Sequence, residues 1–293
     1  FAVFYPLISF LLFFTIPMQS GFSQATDWQA LGEPIDGPLP GALFGRALSL
    51  SADGRVLAVG GPVNQGVGFV QVFDWENDSW QQRGQDITGA LPFNGFGRVL
   101  SIDNVGNRII VGAFRDSTLA PQGGLARVFE WDGSAWKALG EAFLGDAERA
   151  RLGRAVAISG DGQTIVLGSS GSSLGGLPFG LVQVYSWESG EWVQQGGDLQ
   201  GEAEGDLFGM DVDVNQDGTV IAVGAPFNDG GGLNAGHARV FEWNGDTWAP
   251  RGTDIEGTAD NDWQSLVRLN DAGDRLAVSS FVKDVVVENE GQD

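Results

Sequence analysis

One short run of side chains carries the clearest chemical potential in this sequence. Asp211, Asp213, Asn215, Asp217 and Gly218 follow the spacing D-x-D-x-N-x-D-G. Alternating oxygen ligands followed by a glycine bend can wrap a single calcium ion, so these four ligand positions are a calcium candidate. The same run also reads as a plain hairpin turn. Cysteine is absent and His237 is the single histidine, which removes disulfides, thiolate nucleophiles and histidine-rich zinc sites. Asn77-Asp78-Ser79 is a glycosylation sequon, relevant only in a eukaryotic secretory pathway. Glycoside hydrolysis needs two carboxylates at a set separation, and no such pair is visible in the linear sequence. The sialidase turn S-x-D-x-G-x-x-W is also missing, because Ser51-Ala52-Asp53-Gly54 places its glycine one position early.

The elements that must position these residues are set by a repeat. Trp80, Trp136, Trp192 and Trp248 are 56 residues apart, and Trp28 precedes Trp80 by 52. Trp75, Trp131, Trp187 and Trp243 form a second series with the same step. Nine of the ten tryptophans fall in these two series, which identifies a tandem repeat. Each unit opens on Phe-Gly or Leu-Gly (Phe44-Gly45, Phe96-Gly97, Leu152-Gly153, Phe208-Gly209). An alternating strand, a turn and an apolar strand ending in Gly follow, with Asp-Gly at the turn in three units. A Gly-rich loop, a strand ending in the first Trp, and a strand opening on the second Trp complete the unit. Asp-Gly between apolar alternations marks a hairpin, since Gly accepts positive φ. Four short antiparallel strands per unit predict an all-β fold, a β-propeller of four-stranded blades. About five blades' worth of units begin near Trp28, Trp80, Trp136, Trp192 and Trp248, and the expectation is an arc of a larger ring of about seven.

On the first strand, one face carries Leu48, Leu50, Leu100, Ile102, Val156, Ile158, Val212 and Val214. The other carries Ala47, Ser49, Val99, Ser101, Ala155, Ala157, Asp211 and Asp213. Small and polar residues suit the crowded innermost strand of a blade. The tryptophans are expected to pack between blades rather than to stack on sugars. His237 falls in the slot of Phe69, Leu125 and Leu181 and is expected as a packed strand residue.

The units resemble the FG-GAP repeat family, which includes the propeller head of integrin α-subunits and secreted repeat proteins of bacteria and algae. The fourth unit carries the pattern best: Phe208-Gly209, then Val223-Gly224-Ala225-Pro226. The resemblance implies a seven-bladed propeller with calcium loops between the Phe-Gly and Gly-Ala-Pro segments, where Asp211–Asp217 lie. It also implies a further acidic ligand after the glycine, where this chain has Thr219, Val220 and Ile221.

Composition bounds the partners. Sixteen Lys plus Arg against 38 Asp plus Glu give a net charge of −22. Such a polyanion is a poor partner for nucleic acid or an anionic membrane surface. Residues 1–18 carry no charge and lead to Ser23-Gln24-Ala25, a small-x-small cleavage pattern. Residues 1–25 therefore read as a signal peptide without its start, and 26–293 as the propeller. A membrane anchor over 1–18 is the competing reading. Together these features point to a secreted or surface-displayed, non-catalytic binding or adhesion scaffold, its partner an extracellular protein or glycan. A carbohydrate-active enzyme or its subunit, and a structural surface-layer component, are the alternatives. The expected working surface is one rim, built from loops 62–68, 113–124, 169–180 and 225–236 and from the connections 145–152, 201–207 and 257–262.

Overall fold

The computed structural model describes residues 30–38, 40–62, 66–171 and 179–280. Trp28 and residues 1–25, read from the sequence as a signal peptide, lie outside them, and the second of two compact units begins at Gly32. Among the described residues no helix is long and apolar enough to cross a membrane.

Four blades follow one another. The first holds β1 (Ala47–Leu50), β2 (Val56–Gly61), β3 (Val67–Glu76), β4 (Ser79–Gln82) and β5 (Ile87–Pro92). The second holds β6 (Val99–Ile102), β7 (Arg108–Ala113), β8 (Leu125–Trp131), β9 (Trp136–Ala138) and β10 (Phe143–Leu144). The third holds β11 (Leu152–Ile158), β12 (Thr164–Ser169), β13 (Leu181–Glu188), β14 (Glu191–Gln194) and β15 (Leu199–Gln200). The fourth holds β16 (Asp211–Val214), β17 (Val220–Ala225), β18 (His237–Trp243), β19 (Trp248–Pro250) and β20 (Ile255–Glu256). A hairpin of β21 (Gln264–Leu269) and β22 (Leu276–Ser280) comes after them. In every blade the first three strands pair antiparallel in sequence order, and the last two both pair with the third. The predicted fourth strand is thus present but broken in two.

The break has a cause. Gly84 and Gly140, at φ +72° and +74°, lie in it, and a Cβ there would stand 2.5–2.9 Å from Trp131 and Trp192 of the following blade. The outer strand bends so that the next blade's indoles can lie over it.

The innermost strands face one another across a channel, β1 packing on β6, β6 on β11, β11 on β16 and β16 on β21. Their small and polar face does more than save space. Ser49 Oγ accepts the amide hydrogen of Ile102 at 3.1 Å, and Ser101 Oγ that of Ile158 at 3.3 Å. In the fourth blade, Asp211 and Asp213 accept from Val267 and Leu269 at 2.9 and 2.6 Å. The innermost strands β1, β6 and β16 therefore satisfy otherwise orphaned amides of their successors, whereas β11 presents Ala155 and Ala157 there. Ser101→Ala should lower stability by ~0.5–1.5 kcal/mol, the net value of one such bond. The urea midpoint checks this, and an unchanged midpoint would show that water replaces the hydroxyl.

The apolar face of these strands behaves differently at one place. Leu100, Ile102, Val156, Ile158, Val212 and Val214 are buried, whereas Leu48 and Leu50 are 62% and 53% exposed. Blades two to four each lay this face on the blade before. Val56, Ala58, Val70 and Val72, for example, pack against Leu100, Ile102, Ile109 and Val111. Among the described residues no blade covers Leu48 and Leu50.

Candidate functional site

The start of each innermost strand pairs with the end of the second strand, so the channel mouth and the loops after the second strands share one rim. The predicted loop sets meet there. Arg151 N donates to Gln122 O, Gly145 N to Gly124 O, Asn261 N to Leu233 O and Gln264 N to Ala235 O. Buried amide–carboxylate pairs brace the same loops. Asn94 Nδ2 donates to Asp116 Oδ2 at 3.0 Å, and Asn228 Nδ2 to Asp206 Oδ2 at 2.9 Å. The two pairs occupy the same sites with amide and acid exchanged. The rim is therefore a firm surface on which side chains can be held in place.

At the channel mouth the rim presents arginines. Arg46, Arg98 and Arg154 follow the Phe-Gly or Leu-Gly pair of the first three units, and Met210 takes that position in the fourth. Loop residues Arg115 and Arg151 join them. The Phe114 ring is the platform: the guanidinium carbons of Arg98, Arg115 and Arg154 lie 5.5, 5.2 and 5.2 Å from its centroid. Arg98, Phe114, Arg115, Gln122, Arg151 and Arg154 enclose a cavity of about 420 Å³. Behind it, the channel between the innermost strands adds about 570 Å³.

None of these five arginines makes an ion pair among the described residues, although Asp and Glu outnumber Lys and Arg more than twofold. Arg98 Nε is buried without a hydrogen-bond partner. Burial, then repulsion from Arg46 and Arg115, pushes the Arg98 pKa down. Burial, then Arg98, Arg151, Arg46 and Arg115, does the same to Arg154. Both still carry their charge at neutral pH. Cation–π contact with Phe114 offsets part of the crowding; an anion at the mouth would remove the rest. Arg151 has φ +59°, but Leu43 and Leu207 stand likewise before their own Phe-Gly pairs, so this strain belongs to the repeat.

The sequence candidates fall elsewhere. Asp211 and Asp213 point into the channel, and Arg268 Nη1 pairs with Asp211 Oδ2 at 2.7 Å. Burial pushes both carboxyls up in pKa. Asn215 and Asp217 lie in the turn at the far end of β16. Asn215 Oδ1 accepts from Thr219 N and Val220 N, and Asn215 Nδ2 donates to Asp217 Oδ1. Ser51 with Asp53, and Ser159 with Asp161, close their turns in the same way. No hydrogen bond among the described residues joins the two pairs. Asp211, Asp213 and Asp217 also do not gather within reach of one ion. Strand alternation turns Asp211 and Asp213 to the channel and leaves Asn215 and Asp217 closing the turn.

Asn77 occupies an exposed β3–β4 turn with φ +49°, beside Asp78 at +58°. His237 opens β18 and is 1% exposed, in the packed position expected.

Sequence reasoning did not single out the arginines. The available signal was an Arg in register after Phe-Gly or Leu-Gly in three successive units.

Residues 200–241 match the FG-GAP repeat. No curated protein matches the chain. Among solved structures it is similar to hydrazine synthase from Kuenenia stuttgartiensis, with 17% identity and a TM-score of 0.51, over 79% of this chain and 60% of that one. It is also similar to a candidate 6-phosphogluconolactonase from Bacteroides uniformis, with 13% identity and a TM-score of 0.55, over 82% and 65%. The chain thus spans about three fifths to two thirds of those two proteins' lengths. At these identities the likeness is one of fold, and the fold is a β-propeller.

Proposed function

We propose that this protein is a non-catalytic extracellular binding scaffold whose channel mouth holds an anionic group of an acidic glycan, a carboxylate or sulfate on a sugar. One observation carries the reading: Arg98, Arg115 and Arg154 converge on Phe114, Arg151 lines the same cavity, and none of the four has an acidic partner among the described residues, in a chain of net charge −22. The overall negative charge does not forbid an anionic ligand. Charges farther apart than ~8 Å are largely screened at physiological salt, so the local field decides. Guanidinium forks match carboxylate and sulfate oxygens in pairs. A concave site of about 420 Å³ suits a sugar-sized group better than a flat protein face. The extracellular setting rests on the apolar opening of the sequence.

Immobilised chain exposed to a sulfated glycan, a polyuronate and neutral dextran tests this. The two acidic polymers should bind, dextran should not, and binding should weaken with salt. Arg98→Ala with Arg154→Ala should cost at least about tenfold in affinity, each lost charged contact being worth ~1.5–3 kcal/mol. Equal retention of dextran, or an unaffected double variant, would overturn the proposal. Binding of polyglutamate alone would replace the glycan with an acidic protein segment. Release of shortened sugars in the same incubation would favour the carbohydrate-active enzyme instead.

A further inference from the structure

A second cluster in the fourth blade is built with the opposite charge. His237 occupies a slot that holds Phe69, Leu125 and Leu181 in the other blades, and it is more deeply buried than any of them. An imidazole there is out of character unless its nitrogens are used, because an unpaired buried polar atom is costly. Nδ1 has no hydrogen-bond partner. It faces Asp254 Oδ2 at 3.9 Å, too far for a hydrogen bond. Glu202 approaches the same point from the connection before β16. One ligand atom from each of Glu202, His237 and Asp254 lies within 4.8 Å of the others.

We propose that Glu202, His237 and Asp254 bind a single divalent transition-metal cation of the zinc type. Two ligands each about 2.0–2.2 Å from one ion stand roughly 3–4 Å apart, which is the separation of His237 and Asp254. The carboxylates are held for this task by Arg239. Its Nε donates to Asp254 Oδ1 at 3.0 Å and its Nη1 pairs with Glu202 Oε1 at 3.3 Å, leaving Asp254 Oδ2 turned to the histidine. Such outer contacts orient ligands in known metal sites. Charge also favours a cation. Glu256, paired with His237 across β18 and β20, has a buried Oε2 without a partner. Arg239 is thus one positive group among three carboxylates. The Glu202 and Asp254 side chains are 47% and 27% exposed, so an ion can enter from solvent. An imidazole ligand selects zinc-like ions over calcium, which takes oxygen.

The test uses the full chain, stripped with chelator and titrated calorimetrically with Zn²⁺, with Co²⁺ absorption as the ligand-field readout. One equivalent should bind, and Ca²⁺ in equal amount should not displace it. His237→Leu, which installs the residue found at 125 and 181, should fold and bind at least about tenfold more weakly. Glu202→Gln, on an exposed connection, should weaken binding without disturbing the core. Absence of saturable binding by the unmodified chain, equal binding by both variants, or displacement by calcium would overturn the proposal.

Discussion

Trp136→Ala is expected to lower stability by ~3–5 kcal/mol, as for other large aromatic truncations in packed cores. Trp136 is 4% exposed and belongs to the second blade's outer edge, yet it is hydrogen-bonded to Arg83 and Gln85 of the first. Its ring packs in one cluster with Val70, Val72 and Ile87. Its indole Nε1 donates to Arg83 O at 3.0 Å, and its amide and carbonyl are both engaged by the Gln85 side chain. Trp192 and Trp248 repeat the indole bond to Leu139 O and Gln195 O. Truncation therefore opens a cavity between blades and orphans a carbonyl at once. Trp136→Phe separates the two parts. It keeps most of the buried area and loses the hydrogen bond, so it should cost ~1 kcal/mol or somewhat more. Urea unfolding of both variants measures the difference. A Trp136→Ala midpoint equal to that of the unmodified chain would mean the ring is solvated, and would revive the idea that these indoles stack on sugars.

The tryptophan series shows why the scaffold was legible. A 56-residue period, Asp-Gly turns and a small-residue strand face are local patterns, and each maps to one feature of one blade. The exposure of Leu48 and Leu50 was not legible, because their composition matches that of Leu100 and Ile102 and only the neighbouring blade distinguishes them. The arginine mouth was hidden for a related reason. Arg46, Arg98 and Arg154 are more than fifty residues apart, and only the wrapping of three units round a channel brings them together. Net charge pointed the other way, since a sum over the chain says nothing about a local excess. His237 was placed correctly in its slot. Its surroundings, Glu202 and Asp254, come from different connections, so the unpartnered nitrogen had no signal in sequence. The Asp211–Asp217 run shows the converse: a spacing that suits an ion in a loop was divided between a strand and a turn.

Gly112→Ala should be nearly as damaging as a core truncation, at ~1–3 kcal/mol or more, the range for overpacking. A Cβ at Gly112 would stand 2.3 Å from Gly153 O and 2.6 Å from Val99 Cγ2. The same approach recurs at Gly60 on Gly97 O, Gly168 on Gly209 O and Gly224 on Ser265 O. This is why the last residue but one of each unit's second strand is glycine: the next blade's backbone rests on it. Gly153 can aim its carbonyl there because it has φ +75°, which L side chains rarely adopt. Alanine at an ordinary strand position should gain a few tenths of a kcal/mol or more through the unfolded chain. A loss at Gly112 therefore isolates the steric contact. Gly197, with nothing within 4 Å of its Cβ position, is the matched control, and Gly197→Ala should be neutral or slightly stabilising. The displaced residue, Gly153, adjoins Arg154 in the channel mouth. Gly112→Ala should accordingly weaken binding of the acidic glycan as well as folding, although Gly112 does not line the cavity. Melting and glycan affinity measured on the same preparation decide the matter. Unchanged melting would show that the blades slide apart freely at this contact. Reduced stability with unchanged affinity would show that the arginines are held by their loops and Phe114 rather than by the spacing of the blades.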